Sequence, residues 1–308
     1  MAQAVELSVV VPCFNEARCV DAFVAAVDAT GLQGLEFVFV DDGSTDETLE
    51  RIRALAQQDP RVRYVSFSRN FGKEAALLAG LRKAAGAKVV TMDVDLQDPP
   101  ALLPEMVQKI DGEGFDCVAT RRSSREGEPP VRSWFARRFY WLMRHFSEVA
   151  LVDGARDYRM MTRQVRDAIL ALSEVNRFTK GIYQWVGFRT HWIAYPNIER
   201  QAGETKWSFW KLFRYSLDGI MAFSTAPLQV AAVLGIGCCF AAFLALLFVV
   251  GRALLFGDSV GGWPSLVCII VFFGGLQLFV TGILGAYLAK TYLEAKHRPV
   301  YIVREETV

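Results

Sequence analysis

The sequence predicts an α/β domain with a mainly parallel, doubly wound sheet, followed by two membrane-spanning helices. Two observations lead to this fold class. In the first half of the 308-residue chain, short runs rich in β-branched residues alternate with stretches of helical period. In the last third, two long apolar runs contain no Asp, Glu, Lys or Arg. Alternating strands and helices are typical of a parallel sheet covered by helices on both faces.

Five segments of the first half are predicted to be strands. They are residues 7–11, 36–40, 62–66, 88–92 and 116–120. Ligands of such sheets bind outside the carboxyl ends of the strands. The loops "PCFNE", "DDGSTDET", "SRNFGKEA" and "DVDLQDPP" follow the first four strands, so a polar site is expected at that edge. A dehydrogenase-type Rossmann site would need G-x-G-x-x-G after the first strand, where "PCFNEA" stands instead.

The two uncharged runs, residues 227–250 and 264–289, each exceed the roughly 20 residues that an α-helix needs to cross a bilayer. The outer flanks of the two runs carry more basic residues than the loop that connects them. They are Lys206, Lys211 and Arg214 before the first run, Lys290, Lys296, Arg298 and Arg304 after the second, and only Arg252 between them. The N-terminal segment lacks the basic region of a signal peptide. We therefore expect both ends in the cytosol and the short loop outside.

Two further segments, 127–146 and 205–223, mix aromatic residues with Arg or Lys. They are predicted to be helices in the headgroup region of the membrane. The alternative is an amphipathic helix packed on the domain. The net charge of +1 gives no reason to expect a nucleic-acid partner, and the six cysteines are interpreted as reduced packing residues.

The stretch "TMDVDLQDPP" sets Asp93, Asp95 and Asp98 at the end of an apolar strand. Two neighbouring carboxylates repel each other unless a cation neutralises them. Mg²⁺ and Mn²⁺ commonly bind through one or two carboxylates and the phosphates of a substrate, so a divalent metal at Asp93 and Asp95 is expected. A solvated turn is the alternative. Asp41 and Asp42 are interpreted either as a capped turn before the next helix or as acceptors for a base and a ribose.

The motifs "VVPCFNE", "VDDGSTDET", "SRNFGKEAALLAGL", "MDVDLQDPP", "RFTKGIYQWVGF", "ERQAGETKW" and "FSTAPLQ" together resemble the family 2 glycosyltransferases that load a sugar onto a polyprenyl phosphate. The subgroup that the chain resembles most is the bacterial bactoprenol (undecaprenyl-phosphate) glucosyltransferases, which are related to dolichyl-phosphate mannosyltransferases. The resemblance covers nearly the whole chain. It implies a GT-A fold, a nucleotide-sugar donor, Mg²⁺ or Mn²⁺, and inversion at the anomeric carbon.

The resemblance also implies a role for particular residues. Those assigned to the nucleotide sugar are Pro12, Glu16, Asp42, Lys73, Asp93, Gln97 and Arg121. Asp93 and Asp95 are assigned to the metal, and Arg132, Arg200 and Lys206 to the lipid phosphate. Asp157, Asp95 and Arg159 are the catalytic candidates, although "GARDYRMM" departs from the G-D-F-R of the family.

A lipid phosphate has a second pKa near 6 and is largely dianionic at cytosolic pH, so its attack needs little help from a base. Asp157 is therefore expected to position the reactants or Arg159, with general base as the alternative. UDP-glucose is the expected donor, and GDP-mannose, UDP-galactose and modified sugars are alternatives. A processive polysaccharide synthase is the alternative enzyme, but it would carry Q-x-x-R-W, which is absent. The alternative outside the enzymes is a non-catalytic membrane scaffold.

The predicted organisation has six parts. They are a cytosolic GT-A domain (1–200), an acceptor loop with an interfacial helix (201–226), a first span (227–250), an external loop (251–263), a second span (264–289) and a cytosolic tail (290–308). The expected partners are a nucleotide sugar, a polyprenyl phosphate and the bilayer of a bacterial inner membrane. Glycines in both spans permit close helix contacts, which makes a homo-oligomer possible.

Overall fold

The computed structural model describes residues 5–122, 152, 154–196, 221, 224–256 and 262–307. Its centre is one eight-stranded sheet in the order β7-β5-β6-β4-β1-β2-β3-β8. The strands are β1 Leu7–Cys13, β2 Leu35–Asp41, β3 Val62–Phe67, β4 Lys88–Thr91, β5 Cys117–Arg122, β6 Ala155–Thr162, β7 Thr190–Tyr195 and β8 Val303–Glu306. All five predicted strands are present, and the prediction of a mainly parallel sheet is confirmed.

In the described part of the chain, six α-helices cover the sheet. They are α1 Val20–Asp28, α2 Thr48–Gln58, α3 Lys73–Lys83, α4 Leu103–Glu113, α5 Arg163–Ala171 and α6 Thr179–Trp185. Side chains of α1, α2 and α4 pack in one buried cluster with alternate residues of the central strands, such as Val9 and Phe37. Side chains of α3, α5 and α6 pack with the intervening residues, such as Val10 and Val38. Both faces of the strands are buried, which explains their nearly continuous apolar sequences.

Strand β1 lies at the point where the strand order reverses, because β2 follows on one side and β4 on the other. In open α/β sheets this switch point forms a crevice at the carboxyl ends of the strands. The loops after β1 and β4 border that crevice. The four polar loops named above are thus gathered at one edge.

Three strands were not predicted from the sequence. Strand β6 lies antiparallel between β4 and β5, and it brings residues 155–159 to the same edge as the polar loops. Strand β7 pairs with β5, and β8 is the C-terminal tail, which adds to β3 in antiparallel orientation. Each of these pairings joins segments that are distant in sequence, so local patterns carry little sign of them.

Two long helices follow the sheet domain, α7 Ala226–Phe256 and α8 Trp263–Ala295. Both are long and apolar enough to cross a membrane, and most of their described large apolar side chains are exposed. The two helices enclose the predicted spans 227–250 and 264–289 and extend beyond them. The predicted interfacial segments 127–146 and 205–223 lie outside the described residues, apart from residue 221.

Candidate active site

The loops after β1 and β2 are joined by hydrogen bonds. The side-chain oxygen of Asn15 accepts the N–H of Thr45 at 2.8 Å, and the hydroxyl of Ser44 accepts the N–H of Asn15 at 3.0 Å. The hydroxyl of Thr48, at the start of α2, accepts the N–H of Glu16 at 2.8 Å. These bonds hold Glu16, one of the predicted nucleotide-binding residues, beside the crevice.

Asp42 joins the loop after β2 to the loop after β3. Its carboxylate accepts the N–H of Phe71 at 2.7 Å and the N–H of Gly72 at 2.9 Å. Burial raises the pKa of Asp42, although these two N–H groups favour its charged form. Gly72 has φ +97°, a conformation that glycine adopts readily, and it begins the turn into α3. Asp42 therefore positions the segment that carries Lys73.

The carboxylate of Asp41 is also held by hydrogen bonds within the sheet domain. One carboxylate oxygen accepts the N–H of Ser44 at 3.0 Å, and the other accepts the hydroxyl of Ser66 at 2.8 Å. Helix α2 begins at Thr48, whose N–H is bound by the Asp46 carboxylate at 3.0 Å. Of the two interpretations offered for Asp41 and Asp42, these contacts favour the structured turn.

The ammonium of Lys73 lies between two carboxylates from different strand ends. Its Nζ is 2.6 Å from Asp93 Oδ1 and 2.7 Å from Asp157 Oδ2. Burial lowers the pKa of Lys73, but Asp157 and then Asp93 outweigh burial and raise it above the ordinary value. Burial raises the pKa of Asp157, but Lys73 and then Lys180 outweigh it and hold that pKa well below the ordinary value. Lys73 and Asp157 therefore stabilise each other in their charged forms.

Asp95 is almost completely buried, and one of its oxygens accepts the N–H of Gln97 at 3.2 Å. Leu96 between them has φ 56°, which is unusual for a leucine and costs roughly 1–2 kcal/mol. This left-handed residue reverses the chain direction directly after the two aspartates. Unfavourable backbone conformations of this kind are concentrated at binding and catalytic sites.

The third aspartate of the stretch, Asp98, is held by side chains of β6 and β7. Its buried carboxylate accepts the hydroxyl of Tyr195 at 2.6 Å and Nε of Arg156 at 3.2 Å. Arg156 also donates to the side-chain oxygen of Gln97 at 3.3 Å. Burial raises the pKa of Asp98 against the opposing effect of Arg156. The network attaches the loop after β4 to β6 and β7.

Arg159 is enclosed rather than open to a ligand. Only 2% of its surface is exposed, and its guanidinium carbon lies 4.4 Å from the ring centre of Tyr183 and 5.3 Å from that of Trp192. Cation–π contacts of this kind stabilise a buried guanidinium. The cation that contacts Asp157 is Lys73, not Arg159. The described geometry of Arg159 suits support of β6 beneath Asp157.

Several residues of the site were missed by sequence reasoning. Glu74 is half-buried beside Lys73, and its carboxylate binds the backbone N–H of Thr179 at 2.9 Å as well as the Thr179 hydroxyl. Burial raises the pKa of Glu74. Lys180 donates to the carbonyl of Ala155 at 3.1 Å. Arg156 and Lys180 stand within quoted motifs, but only the position of β6 shows what they contact.

The remaining predicted residues fall into two groups. Pro12 lies near the end of β1, and Arg121 lies exposed in β5, whose neighbours are β6 and β7. Arg132, Arg200 and Lys206 lie outside the described residues. Their assignment to a lipid phosphate stays a prediction.

The edge of the sheet thus presents charged groups that are linked to one another. Asp93, Asp95 and Asp157 supply negative charge, and Lys73, Lys180 and Arg156 supply positive charge. Such an arrangement can bind a phosphorylated ligand through its cations. Its carboxylates can hold a metal or orient a reacting group.

The chain matches the family described as "Glycosyl transferase family 2" over residues 8–170. It is 41% identical over 304 residues to the bactoprenol glucosyl transferase of Shigella phage SfV, which covers 98% of this chain and 99% of that protein. The prophage bactoprenol glucosyl transferase homolog of Escherichia coli K12 is 40% identical over 302 residues, with 97% and 98% covered. The glucosyl-3-phosphoglycerate synthase of Mycobacterium tuberculosis, solved with Mn²⁺ and UDP-glucose, is 21% identical over 70% of this chain and 77% of that chain, with a TM-score of 0.48.

Proposed function

Because the chain belongs to glycosyl transferase family 2 and is a glycosyltransferase with a GT-A-like fold, we propose that it transfers glucose from UDP-glucose to a polyprenyl phosphate, with inversion. The acceptor would be undecaprenyl phosphate at the cytosolic face of a bacterial inner membrane. The similarity to bactoprenol glucosyl transferases extends over both the sheet domain and the two apolar helices. The observation that carries the proposal is the Lys73–Asp93–Asp157 cluster at the joined strand ends.

A divalent metal fits the residues present. Asp93 and Asp95 offer two hard carboxylate ligands on one loop, and Mg²⁺ or Mn²⁺ needs only one or two when substrate phosphates complete the shell. Within the described residues, no group of three or more His, Cys, Asp or Glu side chains is placed to hold an ion without a substrate. When bound, the metal would stabilise negative charge on the departing diphosphate.

Asp157 is proposed to orient the reactants rather than to remove a proton. Its pKa is held low by Lys73, so it is a weak proton acceptor near neutral pH. The lipid phosphate is already largely dianionic there and can attack the anomeric carbon directly. Lys73, fixed between Asp157 and Asp93, holds the two carboxylates close to each other and would add a cation for the donor's phosphates.

The test incubates the purified full-length protein with undecaprenyl phosphate and a panel of labelled nucleotide sugars, and follows label into the organic phase. We expect transfer from UDP-glucose, with Mg²⁺ or Mn²⁺ required and EDTA inhibitory. Asp93→Ala and Asp95→Ala should abolish transfer, whereas Asp111→Ala, far along α4, should not. Transfer from another donor alone would replace the glucose assignment. Full activity after metal removal would overturn the metal assignment.

Arg200 and Lys206 are tested separately as acceptor residues. Two fixed cations near the headgroups can replace the hydration that a lipid phosphate loses. Arg200→Ala and Lys206→Ala should therefore raise the apparent KM for the lipid much more than that for UDP-glucose, in detergent without anionic lipid. An effect on the donor alone would place these residues at the nucleotide site instead.

A further inference from the structure

The end of helix α8 is bound to the loop that joins α5 and α6. The carboxylate of Glu294, one residue before the helix ends, accepts the backbone N–H of Val175 at 3.0 Å and of Asn176 at 2.9 Å. It also accepts the side-chain amide of Asn176 at 3.1 Å. One ionised side chain thus satisfies three donors of one loop, and hydrogen bonds to charged groups are about twice as strong as neutral ones.

The same loop is bound to the candidate active site at its other end. Arg177 closes it by donating to the carbonyls of Leu172 at 2.8 Å and Ile169 at 3.3 Å. Two residues further on, Thr179 is held by the carboxylate of Glu74. Glu74 is the neighbour of Lys73, which contacts Asp93 and Asp157. A short run of side-chain contacts therefore leads from α8 to the reacting groups.

Helix α8 is in turn attached to the start of α7. The hydroxyl of Tyr287 donates to the carbonyl of Ser224 at 2.6 Å. Loss of Glu294 would leave Thr179, Glu74 and Lys73 in contact with one another. It would remove the carboxylate contact between their loop and α8, and leave the long hydrogen bond from the Asn176 amide to the Lys290 carbonyl at 3.5 Å.

We propose that Glu294 is a positioning residue that fixes the catalytic centre relative to the membrane helix α8. This inference rests on the proposed function, in which the acceptor phosphate is held at the membrane surface. A phosphate anchored there meets the donor only if the site lies at the right height and angle. A displacement of about 1 Å can lower a rate roughly 100-fold. A small soluble acceptor carries no such constraint, because it diffuses to the site wherever the site lies.

The experiment compares two acceptors with the full-length protein in lipid nanodiscs. One is undecaprenyl phosphate within the bilayer, and the other is a water-soluble prenyl phosphate of two isoprene units. For Glu294→Ala we expect turnover of the long lipid to fall about 10- to 100-fold, while turnover of the soluble acceptor and the Kd for UDP-glucose stay within about twofold of wild type. Alanine has no acceptor for the three donors, whereas Gln would keep the one oxygen that all three can reach.

Three variants complete the design. Glu294→Asp keeps the carboxylate and should recover part of the long-lipid activity. Asn176→Ala removes one donor of the same contact, and its effect should not add to that of Glu294→Ala. Glu305→Gln is the matched control, because Glu305 lies in the tail and binds Arg53 of α2, away from this loop. This variant should leave the ratio of the two activities unchanged.

The outcomes separate the two hypotheses. If wild type transfers sugar to neither acceptor, the proposed function fails. If wild type uses both acceptors and Glu294→Ala lowers both equally, or lowers neither, Glu294 does not position the site and the inference is wrong.

Discussion

Lys73 is the side chain that joins two strand-end carboxylates of the candidate active site. Its ammonium forms ion pairs with both Asp93 and Asp157. A metal held by Asp93 would therefore meet competition from this ammonium. The residue assigned to the nucleotide pocket from the family resemblance lies at the centre of the charged cluster.

We expect Lys73→Met to bind Mn²⁺ more tightly than wild type when no nucleotide sugar is present, and to transfer sugar more slowly. Removal of the ammonium leaves two carboxylates without their partner. The gain in Mn²⁺ affinity should be roughly fivefold, as for an ion pair of about 1 kcal/mol between partly exposed groups. Mn²⁺ titration followed by electron paramagnetic resonance measures it. Lys109→Met, on the exposed face of α4, is the control and should bind Mn²⁺ as wild type does.

Gly43 permits the close approach of the loops after β2 and β3. A Cβ at this position would lie 2.4 Å from the carbonyl carbon of Arg69 and 2.7 Å from the nitrogen of Asn70. We expect Gly43→Ala to lower the free energy of unfolding by about 2–4 kcal/mol and to abolish transfer, because Asp42 loses its hold on residues 71–72. Gly114 has a φ similar to that of Gly43 and free space where a Cβ would stand. Gly114→Ala should therefore lower the free energy of unfolding by only about 1–2 kcal/mol and keep activity. Equal thermal shifts would show that contact between the loops does not matter.

Among the elements, β6 contributes most to the site after the parallel strands. It carries Arg156 and Asp157 to the edge where β4 ends, and the Asp98–Arg156–Tyr195 network attaches the loop after β4 to it. Helix α6 contributes Thr179 and Lys180. The site is therefore assembled from both halves of the sheet.

Strand β8 is held at the sheet edge by an ion pair that acid should weaken. Both guanidinium contacts of Arg53 to Glu305 are short, at 2.7 and 2.8 Å, and the hydrogen bond from Arg53 lowers the pKa of Glu305. A carboxyl with a lowered folded pKa stabilises the fold above its ordinary pKa, and this contribution disappears as the pH falls below about 4.3. Hydrogen exchange at residues 303–306, corrected for intrinsic rates, should therefore change little between pH 6 and pH 5 and accelerate relative to β1 as the pH falls below about 4. In Glu305→Gln the exchange should be fast already at pH 6 and change little with pH.

In the whole molecule, β8 pairs with β3 after helix α8, and Tyr301 stacks on Phe67 at 4.8 Å. The tail and the sheet domain must therefore lie on the same side of any membrane that α7 and α8 cross. This agrees with an even number of spans. It supports the expectation that both termini face the cytosol.

We expect an impermeant thiol reagent added to intact cells to label Ser259→Cys and not Ile302→Cys, in a background without reactive native cysteines. Ser259 lies in the loop with one basic residue, and the flanks carry the rest of the positive charge. Ile302 is exposed in the tail, so protection would reflect the membrane rather than burial in the protein. Permeabilised cells provide the control, in which both positions should react. Equal labelling of intact cells would contradict the topology.

The sequence alone determined the strands β1 to β5, the polar edge at their carboxyl ends and the two long apolar helices. These features depend on local hydrophobic period, on turn residues and on uncharged length, all of which are read from neighbouring residues. The motif "MDVDLQDPP" also identified Asp93 and Asp95 as metal candidates, because paired carboxylates after a buried strand call for a cation.

Only the tertiary structure decided which charges meet. Lys73 and Asp157 are 84 positions apart, and Glu294 is more than 100 positions from the loop that it binds, so no local pattern relates them. The antiparallel insertion of β6 places Asp157 beside Lys73 and buries Arg159 against Tyr183. Asp157 and Arg159 thus have different surroundings, although they stand in one short motif. Long-range strand pairing set these neighbours, and the neighbours set the charge states on which the proposed chemistry depends.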